Sequence, residues 1–132
     1  MDGAILIVDD EEEILATLRR CMVLEGLPVE TCNDPQEALA KMRQAIYPVM
    51  LTDIMMPGMS GIDLLREVRA RQPLCNVIMM TAYTSMDKVV ECLSAGAVDY
   101  LVKPFDDLDT VVARIREAVA RVERWRQTIA PV

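Results

Sequence analysis

Five polar residues stand where apolar runs stop. Asp9 and Asp10 follow the run Ala4–Val8, Asp53 follows Val49–Leu51, Thr81 closes Val77–Thr81, and Lys103 follows Asp99–Val102. Asp53 has the richest surroundings: residues 48–61 read PVMLTDIMMPGMSG, an apolar run, one carboxylate, then a loop with Pro57, Gly58 and Gly61. Three carboxylates brought into one crevice repel unless a cation or a proton intervenes. A hard divalent ion with oxygen ligands relieves that repulsion, and Mg²⁺ typically takes one or two carboxylates with waters and a phosphate. Asp9, Asp10 and Asp53 contribute −3, Mg²⁺ +2 and Lys103 +1, which sums to zero. Such a site is ready for a further anion.

The elements that must position these residues alternate between two periods. Short apolar runs at Ala4–Val8, Pro28–Cys32, Val49–Asp53, Val77–Thr81 and Asp99–Val102 read as buried strands. Between them, apolar residues recur at helical spacing. Ile14, Leu15, Leu18 and Met22 mark a first helix from Glu11 to Glu25, with Gly26 beyond its end. Glu11, Glu12 and Glu13 read as first-turn charges complementing the helix dipole. Asp34 and Pro35 open a second helix with Ala38, Leu39, Met42 and Ile46 on its apolar face. Ile62, Leu65 and Val68 mark a third, stopped before Pro73. Thr84 or Ser85 opens a fourth, with Val89, Val90 and Leu93 on its apolar side. Leu108, Val111, Val112, Ile115, Val119 and Val122 define a long fifth. Strands alternating with helices imply an α/β fold, a five-stranded parallel sheet covered on both faces. Right-handed crossovers favour the doubly wound order 2-1-3-4-5, the flavodoxin-like (βα)5 arrangement. In that order the first and third strands are neighbours, and Asp9, Asp10 and Asp53 share one carboxyl-terminal edge.

Bulk properties narrow the class. A chain of 132 residues, 52% hydrophobic, suits one domain with one core. No apolar run approaches the ~18 residues of a membrane span, and the acidic start MDGAILIVDDEEE does not read as a signal peptide. The net charge of −7 disfavours direct contact with nucleic acid. Cys21, Cys32, Cys75 and Cys92 lack CxxC spacing and read as reduced thiols of a cytoplasmic protein. With no histidine, zinc sites built on imidazole and histidine acid–base catalysis are excluded.

The DD pair after the first strand, LTDIMMPGMSG around Asp53, the TA pair at 81–82 and the KPF at 103–105 together resemble the receiver domain of two-component response regulators. The resemblance covers residues 3 to 122. It implies that Asp53 is the phosphoacceptor, fed by a phosphohistidine on a sensor histidine kinase. Asp10 would ligate Mg²⁺ (or Mn²⁺), with Asp9 bound to the metal or its water, and the Met55 carbonyl would complete the protein ligands. Lys103 would pair with the phosphoryl oxygens. Thr81 and the backbone of Met55 and Ala82 would contact the phosphoryl group. Thr81 and Tyr100 would form the switch, and the Lys103–Pro104 bond would be cis. Met55 and Tyr83 would flank the path of the hydrolytic water; neither is a strong base, which implies slow self-dephosphorylation. The surface of the fourth helix, fifth strand and fifth helix would carry the signal. Such a domain catalyses its own phosphorylation but is not an enzyme with an external product.

The same resemblance divides the chain into a receiver over 1–122 and a C-terminal helical extension over 123–132, leading towards an output domain. Leu108, Ile115, Val122 and Ile129, with Val111, Ala118 and Trp125, run at sevenfold spacing, which suits a signalling helix or a homodimer seam; residues 127–132 read as a frayed end. The TAY and GAVDYLVKPF stretches resemble receivers of transcriptional activators, with a stand-alone adaptor as the alternative. A haloacid dehalogenase-type phosphatase would need a second Asp where Met55 stands. A flavin-binding protein would need Ser, Thr and Gly where the chain has Asp9, Asp10 and Glu11.

Overall fold

The computed structural model describes residues 3–82, 85–105 and 107–129. Strands β1 (Ile5–Val8), β2 (Val29–Cys32), β3 (Val49–Asp53), β4 (Asn76–Thr81) and β5 (Asp99–Val102) alternate with helices α1 (Glu12–Leu24), α2 (Pro35–Gln44), α3 (Gly61–Arg71), α4 (Met86–Ser94) and α5 (Leu108–Thr128). Neighbouring strands pair in parallel in the order β2-β1-β3-β4-β5, as the alternation predicts. Successive side chains on a strand face opposite sides, so each strand serves two cores. Leu6, Val8, Met50, Val77 and Met79 join Leu39, Leu64 and Leu65 under α2 and α3. Ile5, Ile7, Leu51, Ile78 and Met80 join Leu18, Met22 and Ile115 under α1 and α5. Burying one such side chain is worth roughly 1.5–3 kcal/mol.

Local chemistry sets the helix limits. Gly26, at φ +72°, ends α1 in the left-handed region that glycine tolerates. The side chains of Asp34, Ser60, Ser85 and Asp107 accept backbone N–H groups at the starts of α2, α3, α4 and α5. Ser85 is therefore the cap of α4; its alternative, Thr84, lies outside the described residues.

The structure corrects the reading at three places. Ile46 is not on the apolar face of α2: the helix stops at Gln44 and Ile46 is 66% exposed. Gln72 takes over that end, its Nε2 donating to the carbonyls of Met42 and Ala45 while its Oε1 accepts the Tyr47 N–H. Tyr47, not Ile46, is the buried side chain. Val90 and Leu93 are exposed, and Cys92 is the buried residue of α4. The apolar stripe of α4 faces outward because the sheet beneath it ends in the short edge strand β5. The sevenfold stripe of α5 is consumed by the domain, since Val111, Ile115, Ala118 and Val122 pack inward. The stripe's most exposed member is Ile129, 60% exposed, and the helix stays regular through Thr128 instead of fraying from residue 127. All four cysteines are free thiols, and burial pushes those of Cys32 and Cys75 up to about 12.

Candidate functional site

Parallel pairing carries the chosen residues to one edge. Val8 is in register with Thr52, and Asp53 with Met80, so Asp9 emerges beside Asp53. The Lys103 N–H donates to the Thr81 carbonyl at 2.9 Å, which extends the β4–β5 ladder to the lysine. Asp10, Glu11, Asp53, Met55, Thr81, Ala82 and Lys103 line one crevice of about 360 Å³. A larger hollow beside Pro57 and Arg66 holds none of the expected site residues.

Lys103 is the hub. Its Nζ lies 2.6 Å from Asp9 Oδ2, 3.1 Å from Asp53 Oδ2 and 3.1 Å from Glu11 Oε1. Burial pulls the ammonium's pKa down, but the bonds to Asp9, Asp53 and Glu11 outweigh it and leave the pKa raised. Asp9 is fully buried. That burial raises its pKa, against the opposing pull of Lys103 and of the Glu11 N–H, which donates to Asp9 Oδ1 at 2.9 Å. Asp9 Oδ2 meets Lys103 as a charge contact, and no aligned hydrogen-bond donor reaches it among the described residues.

These features fit a hard divalent cation. Asp9, Asp10, Glu11 and Asp53 each offer a carboxylate oxygen, and those oxygens lie within 4.8 Å of one another. Such oxygen-only donor sets suit Mg²⁺. Met55 borders the crevice, its N–H donating to Asp53 Oδ1 at 3.4 Å and its side chain 53% exposed. Tyr100 is half-buried on the α4 side of the sheet. Burial raises its pKa, helped by the nearby Cys92 and Asp53. The Lys103–Pro104 bond is cis. Tyr83 lies outside the described residues.

Two site features escaped the sequence reading. Glu11 was assigned to the helix dipole alone, yet its carboxylate reaches Lys103. The signal was available: Glu11 directly follows the Asp pair at the same strand end. Gly61 is the other. A Cβ there would run into the carbonyl oxygen of Asp53, and the Gly61 N–H donates to Ile54 O at 2.7 Å. That close approach seats the start of α3 against the end of β3 that carries Asp53.

Comparison with known proteins agrees with this geometry. Residues 5–116 match the family model of the response regulator receiver domain. The chain is 38% identical over 125 residues to the DNA-binding transcriptional regulator NtrC of Salmonella typhimurium, covering 95% of this chain and 26% of that protein. It is 36% identical over 126 residues to the alginate biosynthesis transcriptional regulatory protein AlgB of Pseudomonas aeruginosa, covering 92% of this chain and 28% of that one. The chain thus spans about a quarter of the length of these curated relatives. Among solved structures, a CheY-like receiver domain protein from Methanospirillum hungatei JF-1 superposes with a TM-score of 0.87 at 34% identity, covering 92% of this chain and 97% of that one. The beryllofluoride-activated NtrC4 receiver domain dimer superposes at 0.85 with 29% identity, covering 90% and 98%. The chain belongs to the response regulator receiver domain family. Its fold is the flavodoxin-like, CheY-type arrangement, and receiver domains are signalling modules of two-component systems.

Proposed function

We propose that Asp53 accepts a phosphoryl group from a phosphohistidine of a sensor histidine kinase, and that the modified domain controls a transcriptional output. The carrying observation is the crevice that Asp10, Asp53, Thr81 and Lys103 line on one sheet edge, with Asp9 buried against the lysine. An Asp53 carboxylate oxygen attacks phosphorus in line, the P–N bond to the donor imidazole breaks, and the departing nitrogen keeps the electron pair. Positioning and charge neutralisation dominate such a transfer. Bound Mg²⁺, held by Asp9, Asp10, Asp53 and the Met55 carbonyl, would supply Lewis-acid neutralisation of the phosphoryl oxygens. Lys103 swings its ammonium from the carboxylates to the new anion. The Thr81 hydroxyl and the backbone N–H groups of Met55 and Ala82 donate to it.

The product adds about −1.5 to −2 charges to the crevice. Thr81 answers by moving towards it, and Tyr100 follows, biasing a pre-existing equilibrium of the α4–β5–α5 surface. The outward stripe Met86, Val90 and Leu93, with Val102 on β5, supports this surface as the contact with an output domain, effector or second receiver. We assign residues 1–122 to the receiver and 123–132 to a helical extension. The exposed apolar Met55 supports slow self-dephosphorylation, because it offers no base to the incoming water. The relatives named as transcriptional regulators support that output over the stand-alone adaptor. We assign the domain to the cytoplasm; among the described residues no helix is long and apolar enough to cross a membrane.

The test is intact-protein mass after incubation with Mg²⁺ and acetyl phosphate. One added phosphoryl group in the wild type and none in Asp53→Asn is the expected result, with sizing of the same samples to read dimer formation. Labelling of Asp53→Asn, or none of either protein while Mg²⁺ binds, would overturn the assignment.

A further inference from the structure

The receiver site carries one more carboxylate than its phosphotransfer needs. Glu11 Oε1 sits 3.1 Å from Lys103 Nζ, yet Lys103 is already held by Asp9 and Asp53. Glu11 does not cap α1: it occupies the N-cap position without a side-chain bond to the helix. Its carboxylate is 61% exposed, so it can leave Lys103 at little cost in burial. With Glu11 counted, four carboxylates give −4, Mg²⁺ +2 and Lys103 +1, a sum of −1 where three aspartates alone gave zero. The metal-loaded crevice therefore still repels an incoming anion, and part of the lysine's charge is committed elsewhere.

We propose that Glu11 is a positioning residue that competes with the phosphoryl group for Lys103 while strengthening cation binding. The inference rests on Asp53 being the phosphoacceptor. Phosphorylation exchanges partners: the Lys103 ammonium leaves Glu11 for a phosphoryl oxygen, and Glu11 turns to solvent. Glu11 thus tunes two steps in opposite directions. It favours Mg²⁺ by adding a negative charge beside the ion, and it disfavours the anionic donor by that charge and by holding the lysine. Removing Glu11 does not misplace Lys103, because the more buried Asp9 and Asp53 remain.

Glu11→Gln is nearly isosteric and keeps the backbone N–H that Asp9 uses. Its expected phenotype is split. At saturating Mg²⁺ the rate of labelling by acetyl phosphate rises about three- to tenfold, the size expected for one unit charge a few ångströms away in a solvated crevice. The Mg²⁺ dissociation constant rises by a similar factor. Added salt slows the contrast between variant and wild type, because it screens the exposed charge. In metal-free protein the ¹⁵N NMR signal of Lys103 Nζ shifts in Glu11→Gln, a readout independent of phosphotransfer. Glu11→Asp, with one methylene fewer, restores Mg²⁺ affinity but not the lysine signal. Glu12→Gln removes the same charge one residue on, where Glu12 bonds Asn33 instead; it leaves rate and lysine signal unchanged.

An unchanged or slower rate in Glu11→Gln, an unmoved lysine signal, or an equal effect of Glu12→Gln overturns the proposal. Failure of the underlying assignment looks different: wild type and Glu11→Gln are then both unlabelled, or Asp53→Asn is labelled as they are, and the inference falls with it. Thermal melts of both variants exclude loss of fold as the cause of any slowing.

Discussion

The centre of the sheet and its α4 corner use similar residues to opposite ends. In β1, β3 and β4 every described side chain from Ile5 to Val8, Val49 to Asp53 and Asn76 to Thr81 is buried. Both faces are covered, and the carboxyl edge of these strands carries Asp9, Asp53 and Thr81 on a rigid base. At the corner, Cys92 is the buried residue of a nine-residue helix, and Met86 stands 73% exposed. The difference teaches where the molecule keeps its chemistry and where it keeps its freedom. A site that holds a lysine within 3.1 Å of three carboxylates needs close packing beneath it. The surface proposed to change on signal lies at the more exposed, weakly held end of the structure, where such motion costs least.

The sharpest way to break that contrast is at the centre. Leu18→Ala, in the layer under α1 and α5, is expected to cost about 2–5 kcal/mol, read as a fall in the urea midpoint; Cys92→Ala is expected to cost far less. Equal losses would mean that α4 is as firmly held as α1. Gly61→Ala pushes a methyl group into the Asp53 carbonyl, and we expect a loss of about 1–3 kcal/mol together with slower labelling of Asp53. Full stability with normal labelling would show that the loop yields freely. Gln72→Ala strips the far end of α2 of its partner carbonyl contacts and the Tyr47 N–H, an expected loss of about 1–3 kcal/mol with the labelling rate intact, because this contact lies at the opposite edge of the sheet.

The smallest expected effect on stability lies on the corner itself. Leu93→Ser should change the unfolding free energy by no more than about 0.5 kcal/mol, while weakening whatever assembly sizing detects in the phosphorylated protein. Amide exchange should rank the same way, with α4 opening well before β1 and β3.

A pH series sharpens the electrostatic half of the contrast. Asp9 has a folded pKa raised above its ordinary value of 3.8. Its contribution is fully present below that value and is lost as pH rises through the folded pKa, because the buried charge then forms at a cost. Metal-free wild type should therefore lose stability over that interval relative to Asp9→Asn, measured by urea melts from pH 4 upward. Mg²⁺ should reverse the loss, since it binds the folded state alone. A difference between the two proteins that does not change with pH would refute the sign.

Much of this was legible in the chain. Continuous apolar runs and helical stripes sufficed for five strands, five helices and their order, because parallel strands buried on both faces leave such runs. The five polar strand ends were legible for the same reason: a polar residue where such a run stops has nowhere to lie but an edge. Ile46 was misread because α2 ends through a side chain 26 residues further on, Gln72, which no local pattern announces. Val90 and Leu93 were misread because helical spacing reports an apolar stripe but not whether a sheet lies beneath it. Glu11 was misread because a run of five acids at a helix start has a sufficient local explanation.

By itself, then, the sequence determined the alternation of elements, the parallel sheet and the types of residue at its carboxyl edge, since these follow from burial and from the reach of single elements. Only the tertiary structure decided which carboxylates meet Lys103, which face of α4 is left open and how α2 ends. Each of those depends on distances between segments far apart in the chain, and a hydrogen bond or ion pair falls off within an ångström or two that no spacing rule resolves.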